Sequence, residues 1–119
     1  MNAGREIAEA FLAGDLDGVA ARLGPDPTFH SPVTDYQGRE QVLGVLGLVS
    51  RVLGRGEVTR ALEDGDDAAV FFTTQVDGRA LDGVLRIDPG SSELTLMARP
   101  LAVLELAVEE LRKAAVTEP

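Results

Sequence analysis

The chain opens with apolar residues spaced for helices. Ala3 to Ala13 reads as one, with Ile7 and Phe11 on one side and Ala8 and Leu12 beside them. Gly14 ends it, a position where a left-handed residue is least strained. Asp15 caps a second, short helix from Leu16 to Leu23, whose buried stripe is Leu16, Val19, Ala20 and Leu23. Gly24-Pro25-Asp26-Pro27 breaks the chain. Thr28 to Ser31 is a short extended segment stopped by Pro32, and Val33 to Gly38 reads as a loop holding Asp35 and Tyr36. Arg39 to Leu53 carries the clearest helical stripe: Val42, Val45, Leu46, Val49, Val52 and Leu53. Gly44 and Gly47 lie inside it, where each costs about 1 kcal/mol against Ala. Close approach of a neighbouring backbone is the expected reason for them.

After Gly54-Arg55-Gly56 the apolar period shortens to two. Glu57 to Glu63 reads as a strand, Asp64 to Asp67 as a turn, and Ala68 to Val76 as a strand rich in Val, Phe and Thr. Asp77-Gly78 is a two-residue hairpin turn, since Asp-Gly tolerates the positive φ of a type I′ turn. Arg79 to Ile87 returns, Asp88 to Ser92 turns again, and Glu93 to Arg99 is the last strand. Pro100 suits the first position of a helix whose stripe is Leu101, Leu104, Ala107, Val108 and Leu111. The tail after Ala115 is expected to fray. A turn at Asp77-Gly78 sets Thr74 opposite Leu81, Phe72 opposite Gly83 and Val70 opposite Leu85; the next hairpin sets Leu85 near Leu96 and Gly83 near Ala98. One face then carries Val70, Phe72, Thr74, Leu81, Leu85, Ile87, Leu94 and Leu96, apolar enough to be covered by helices. The other carries Phe71, Thr73, Gln75, Asp82, Val84, Arg86, Thr95, Met97 and Arg99, with Phe71, Val84 and Met97 in its middle. A mixed face of that kind is expected to meet a partner, here a second copy of the chain.

Composition narrows the function. At 119 residues the chain is one ordinary domain, able to bury roughly two-thirds of its unfolded surface without a staple. The absence of cysteine excludes disulfides, iron–sulfur clusters and thiol catalysis. The net charge of −9, from 20 acidic against 11 basic residues, disfavours nucleic acid and anionic membrane surfaces as partners. No basic start with an apolar run marks a secretory signal, and no stretch reaches the ~20 apolar residues of a membrane span, so the cytoplasm is the expected location.

The order of two helices, a short strand, a long helix and a strand meander resembles the nuclear transport factor 2-like superfamily, which includes ketosteroid isomerases and SnoaL-like polyketide cyclases. Ala13-Gly14-Asp15-Leu16-Asp17-Gly18 is similar to the junction of the first two helices in the isomerases. Phe29-His30-Ser31-Pro32-Val33 followed by Gly38-Arg39-Glu40 is similar to the strand, loop and helix entry of SnoaL-like proteins. The resemblance implies an α+β fold: a cone-shaped roll with a curved, mainly antiparallel sheet wrapped around a long helix, and a C-terminal helix. It also implies a pocket at the open end of the cone and a dimer through the outer sheet face. The isomerase catalytic set does not carry over. Its general base falls on Ser31, its oxyanion tyrosine on Ile7, and its second oxyanion donor on Gly83, with Asp82 turned outward by parity.

The remaining polar candidates each have two readings. His30, the single histidine, is either a general base oriented by Asp35 or a strand-end residue facing outward, as the inward parity of Phe29 and Ser31 favours. Ser31 and Tyr36 either contact a ligand at the mouth of the cone or serve as a capping serine and a loop tyrosine. Asp35 also suits a turn. Thr74 is the polar residue among the inward strand positions, either touching a ligand or bonding locally. Asp64, Asp66 and Asp67 lack the later Glu of a calcium loop, and one histidine without cysteine makes no zinc set. No cofactor and no metal are therefore expected. The expected function is binding of a small neutral apolar molecule by Phe11, Phe29, Ser31, Leu46, Phe72, Thr74, Leu81 and Leu96, or a dimeric scaffold without chemistry. The alternative is an isomerase or polyketide cyclase-type enzyme using His30, Asp35 or Tyr36 at the pocket mouth.

Overall fold

Two short polar side chains start the first helices. Asn2 accepts the Arg5 N–H at 2.7 Å and opens α1 (Ala3–Leu12), and Asp15 accepts the Gly18 N–H at 2.9 Å and opens α2 (Leu16–Arg22). The Asn2 amide also donates to the carbonyls of Gly65 and Asp67, which pins α1 to a hairpin far along the chain. The Arg39 guanidinium donates to the carbonyls of Ala20, Leu23 and Gly24, satisfying the C-terminal end of α2. The structure, a computed structural model, describes residues 2–117.

The described strands form one six-stranded sheet in the order β2-β1-β6-β5-β4-β3. They are β1 (Thr28–His30), β2 (Asp35–Gln37), β3 (Glu57–Asp64), β4 (Asp67–Val76), β5 (Arg79–Asp88) and β6 (Glu93–Arg99). All neighbours are antiparallel except β1 and β6, so the sheet is mainly but not wholly antiparallel. The sheet curves around α3 (Arg39–Leu53), which meets β1, β2 and β4 on its inner side. Asp77 and Gly78 have φ of 52° and 77°, the two positive values that a type I′ turn requires. That turn sets the register as the hairpin chemistry predicts: Thr74 opposite Leu81, Phe72 opposite Gly83, and Val70 opposite Leu85. The next hairpin pairs Leu85 with Leu96 and Gly83 with Ala98. Every residue of the expected inward face is buried.

Five local readings change. Val33 to Gly38 is not all loop, because Asp35–Gln37 pairs with Thr28–His30 as β2. Three residues are too few to show a period, and the pairing rests on contacts across strands, including the Phe29–Tyr36 ring stack with centroids 6.1 Å apart. A bulge between Val58 and Arg60 interrupts β3, where a plain strand is expected. Gly44 and Gly47 have nothing within 4 Å of an added Cβ, so no neighbouring backbone explains them. The close approaches fall at Gly4, where a Cβ would meet the Asp66 carbonyl oxygen at 2.8 Å, and at Gly83. The last helix, α4 (Leu101–Thr117), runs past Ala115, and positions 118–119 of the expected frayed tail lie outside the described residues. Of its expected stripe, Ala107 is buried and Leu104, Val108 and Leu111 are half-buried, but Leu101 is 67% exposed and Val103 is buried in its stead.

Candidate functional site

The inner face of the sheet is covered by two different surfaces. At one end α1 lies on β4 and β5, and Ile7, Ala8, Phe11 and Leu12 close that end completely. At the other end α4 crosses β6, β5 and the side of α3. A cavity of about 290 Å³ remains there, just below the usual range of small-molecule sites. Its floor is Phe29, Leu81, Leu96 and Ala98 from the strands. Its walls are Val45, Leu48, Val49 and Leu53 of α3 and Leu104, Ala107, Val108, Leu111 and Ala115 of α4. Ser31, Pro32, Val33, Tyr36 and Arg112 complete it. Among the described lining residues there is no carboxylate and no imidazole.

The expected site residues divide accordingly. Phe29, Ser31, Leu81 and Leu96 line the cavity, and Tyr36 joins them. Phe11, Leu46 and Phe72, expected as lining, are instead core residues no more than 3% exposed. For Phe72 the reason is its pairing with Gly83: an added Cβ on Gly83 would sit 2.5 Å from the Phe72 ring, so the ring occupies the space a side chain would take. Thr74 is also withdrawn from the cavity. Its hydroxyl donates to the carbonyls of Leu53 and Arg55, tying β4 to the end of α3.

The polar candidates resolve by geometry. The Ser31 hydroxyl donates to the Thr34 carbonyl at 2.6 Å and accepts the Val33 and Thr34 N–H groups at 3.2 and 3.0 Å. It is a turn cap with its donor already used. His30 does not line the cavity. Strand parity turns it to the outer side of β1, where Nδ1 lies 2.9 Å from Asp35 Oδ1 and Nε2 lies 3.8 Å from Glu93 Oε2. His30 and Asp35 are thus brought together as direct register partners, and Tyr36, which pairs with Phe29 and has the opposite parity, is not part of that pair. At the positions where the isomerase resemblance looks for catalytic groups stand a buried Ile7, the saturated Ser31 and Gly83 beneath Phe72. Asp82 faces outward and lies 3.8 Å from Arg99.

The α4 contribution is what the sequence reading missed. The inward sheet face is uncharged as expected, but α4 brings Arg112 to the cavity rim. The signal was present: Arg112 follows Leu104, Val108 and Leu111 on one helical side, one turn beyond Val108. A second, external groove lies between Pro32-Val33 and α4, and it shares Pro32, Val33, Leu104, Val108 and Arg112 with the cavity. These five residues therefore form the mouth.

On the outer sheet face Phe71, Val84 and Met97 are register partners in one row, with Phe71 38% and Met97 56% exposed. Arg60 stands opposite Phe71. Four residues further along the strands, past the outward row of Ala69, Arg86 and Thr95, the pairs Asp64–Asp67 and Asp88–Glu93 cluster carboxylates at one end of the sheet. Partial desolvation, and then the carboxylate of Asp88, raise the Asp67 carboxyl above its ordinary range. Hydrogen bonds from Ser91 and Gly90 lower that of Asp88. Among the described residues no group of three or more His, Asp or Glu is placed to hold a metal ion, and no helix is long and apolar enough to cross a membrane.

Comparison with known proteins agrees with this architecture. A protein from Silicibacter pomeroyi DSS-3 with a cystatin-like fold is 23% identical, with a TM-score of 0.83 over 97% of this chain and 88% of that one. A steroid delta-isomerase from Pseudomonas aeruginosa is 28% identical, with a TM-score of 0.82 over 98% and 93%. TerC, crystallised with polyporic acid, is 24% identical, with a TM-score of 0.69 over 90% and 99%. No curated protein matches the chain. Residues 5–107 match the SnoaL-like domain, so the chain belongs to the SnoaL-like family of the nuclear transport factor 2-like superfamily.

Proposed function

We propose that the protein binds a small, mainly apolar molecule in the cavity beneath α4. The observation that carries this reading is the lining: aliphatic and aromatic throughout, apart from Ser31, Tyr36 and Arg112, with Ser31 already committed to its own turn. Acid–base turnover needs a proton acceptor within hydrogen-bond reach of the substrate, and a cavity lined in this way favours binding over turnover. The isomerase relative is named for a reaction whose expected positions are here Ile7, Ser31 and Gly83, which lends no support to that chemistry. Thermal-shift measurements against small apolar compounds test the reading. A ligand at a hundredfold excess over its Kd adds about 2.7 kcal/mol. Ala107→Leu, which fills the cavity from α4, should abolish the response while leaving the fold intact. An unchanged response in that variant would put the ligand elsewhere.

A dimer through the outer sheet face is a second element of the proposal, supported by the exposed row of Phe71, Val84 and Met97. Sedimentation at micromolar concentration should give twice the chain mass, and Val84→Asp should shift it to monomer by placing an unpaired charge in a desolvated centre. A wild-type monomer refutes this.

A further inference from the structure

We propose that the ligand of the cavity is an amphipathic carboxylate, its apolar body inside and its anionic end paired with Arg112 at the mouth. The inference rests on the reading of the cavity as a binding site and specifies the chemistry of what it takes. The space has room for roughly ten non-hydrogen atoms at about 30 Å³ apiece, the share of one water in the liquid, given its volume of about 290 Å³. Its interior offers only apolar contact. The polar side chains of the lining are Ser31, Tyr36 and Arg112, and Ser31 has spent its donor on the Thr34 carbonyl. The loop beside it has none to add: Pro32 lacks an N–H, and the Val33 and Thr34 N–H groups point to the Ser31 hydroxyl. Donor capacity is thus left to the Tyr36 hydroxyl, which has no partner among the described residues, and to the guanidinium. Both suit an acceptor-only group, and a guanidinium suits a carboxylate best because its donors form a planar fork.

Arg112 is also placed where a ligand's polar end must lie. It lines both the cavity and the outer groove, so a group beside it stays hydrated while the body is enclosed. Its described partner is Glu109 on the same helix, at 3.2 Å, with both side chains more than half exposed. Surface pairs of this spacing contribute a few tenths of a kcal/mol, so a ligand carboxylate can replace Glu109. Glu105 also faces the groove, and the chain is acidic overall. Those charges repel an anion from a distance, but beyond about 8 Å they are screened at physiological salt, and the contact with Arg112 is local.

Octanoate, octan-1-ol and octylamine share one apolar body of about the right size and differ in the end group. Calorimetric titration of the full chain with each, at matched pH and salt, tests the proposal. Octanoate should bind about fivefold or more tighter than octan-1-ol, and octylamine most weakly. Arg112→Gln should erase the octanoate preference without changing octan-1-ol binding, and Arg112→Lys should restore part of it. Equal binding of octanoate and octan-1-ol, or a preference that survives Arg112→Gln, overturns the assignment while leaving the cavity reading standing. Failure of all three probes to bind overturns both.

Discussion

The two ends of the inner sheet face are made from the same strands and do opposite things. At the α1 end Phe72 lies over Gly83, Leu12 reaches Gly56, and the interior is solid. At the α4 end Leu81, Leu96 and Ala98 face Ala107 and Ala115, and a cavity remains. The difference is not in polarity, since both ends are apolar. It lies in the fit of large to small. A ring over a glycine leaves no gap, whereas a lining that includes Ala98, Ala107 and Ala115 leaves space that the surrounding leucines do not fill. The cavity of this chain is therefore a packing deficit at one end of a core that is fully packed at the other.

The largest test of that contrast is truncation at each end. Phe72→Ala should cost about 3–5 kcal/mol in urea denaturation, because it opens a void in a closed core. Leu111→Ala, on the half-buried cavity wall, should cost about 1 kcal/mol. Equal losses would mean that the two ends are packed alike. Next comes a change whose sign should differ between the ends. Gly83→Ala must push against the Phe72 ring and the Met97 carbonyl and should destabilise by about 1–3 kcal/mol. Gly44→Ala and Gly47→Ala, beside the cavity wall of α3, meet open space and should each stabilise by up to about 1 kcal/mol. A loss at either would reveal a partner pressed against α3.

The smallest effect concerns charge at the α1 end. The raised carboxyl of Asp67 favours the fold while protonated, a contribution present below the ordinary carboxylate pKa and lost as pH rises through the raised value. Asp67→Asn should therefore raise Tm slightly at pH 7, with the gain fading toward about pH 3. Asp88 has the opposite sign: its lowered carboxyl contributes above the ordinary pKa and loses that as pH falls. Asp88→Asn should lower Tm at pH 7, since it also weakens the acceptor for the Gly90 and Ser91 N–H groups.

Nearly all of the fold was legible because its signals are local. The Asp15 cap, the stripe of Arg39–Leu53 and the Asp77-Gly78 turn each specify structure within a few residues, and the turn carries its register into two neighbouring strands. What escaped was β2, a three-residue strand with no period to read, and the bulge in β3. The candidate site was half legible. Strand parity correctly turned Phe29, Leu81 and Leu96 inward and His30 outward, since alternation is a property of the backbone. It could not separate Leu81, which lines a cavity, from Phe72, which fills one.

The sequence by itself determined which residues face inward and where the chain turns. Only the tertiary structure decided that the cavity lies under α4, that Phe11, Leu46 and Phe72 are sealed away from it, and that Arg112 stands at its mouth. Inward and outward follow from periods of two and 3.6 residues along one element. A cavity is the volume left between elements distant in sequence, and it depends on how α4 is rotated against the sheet, which no local pattern encodes.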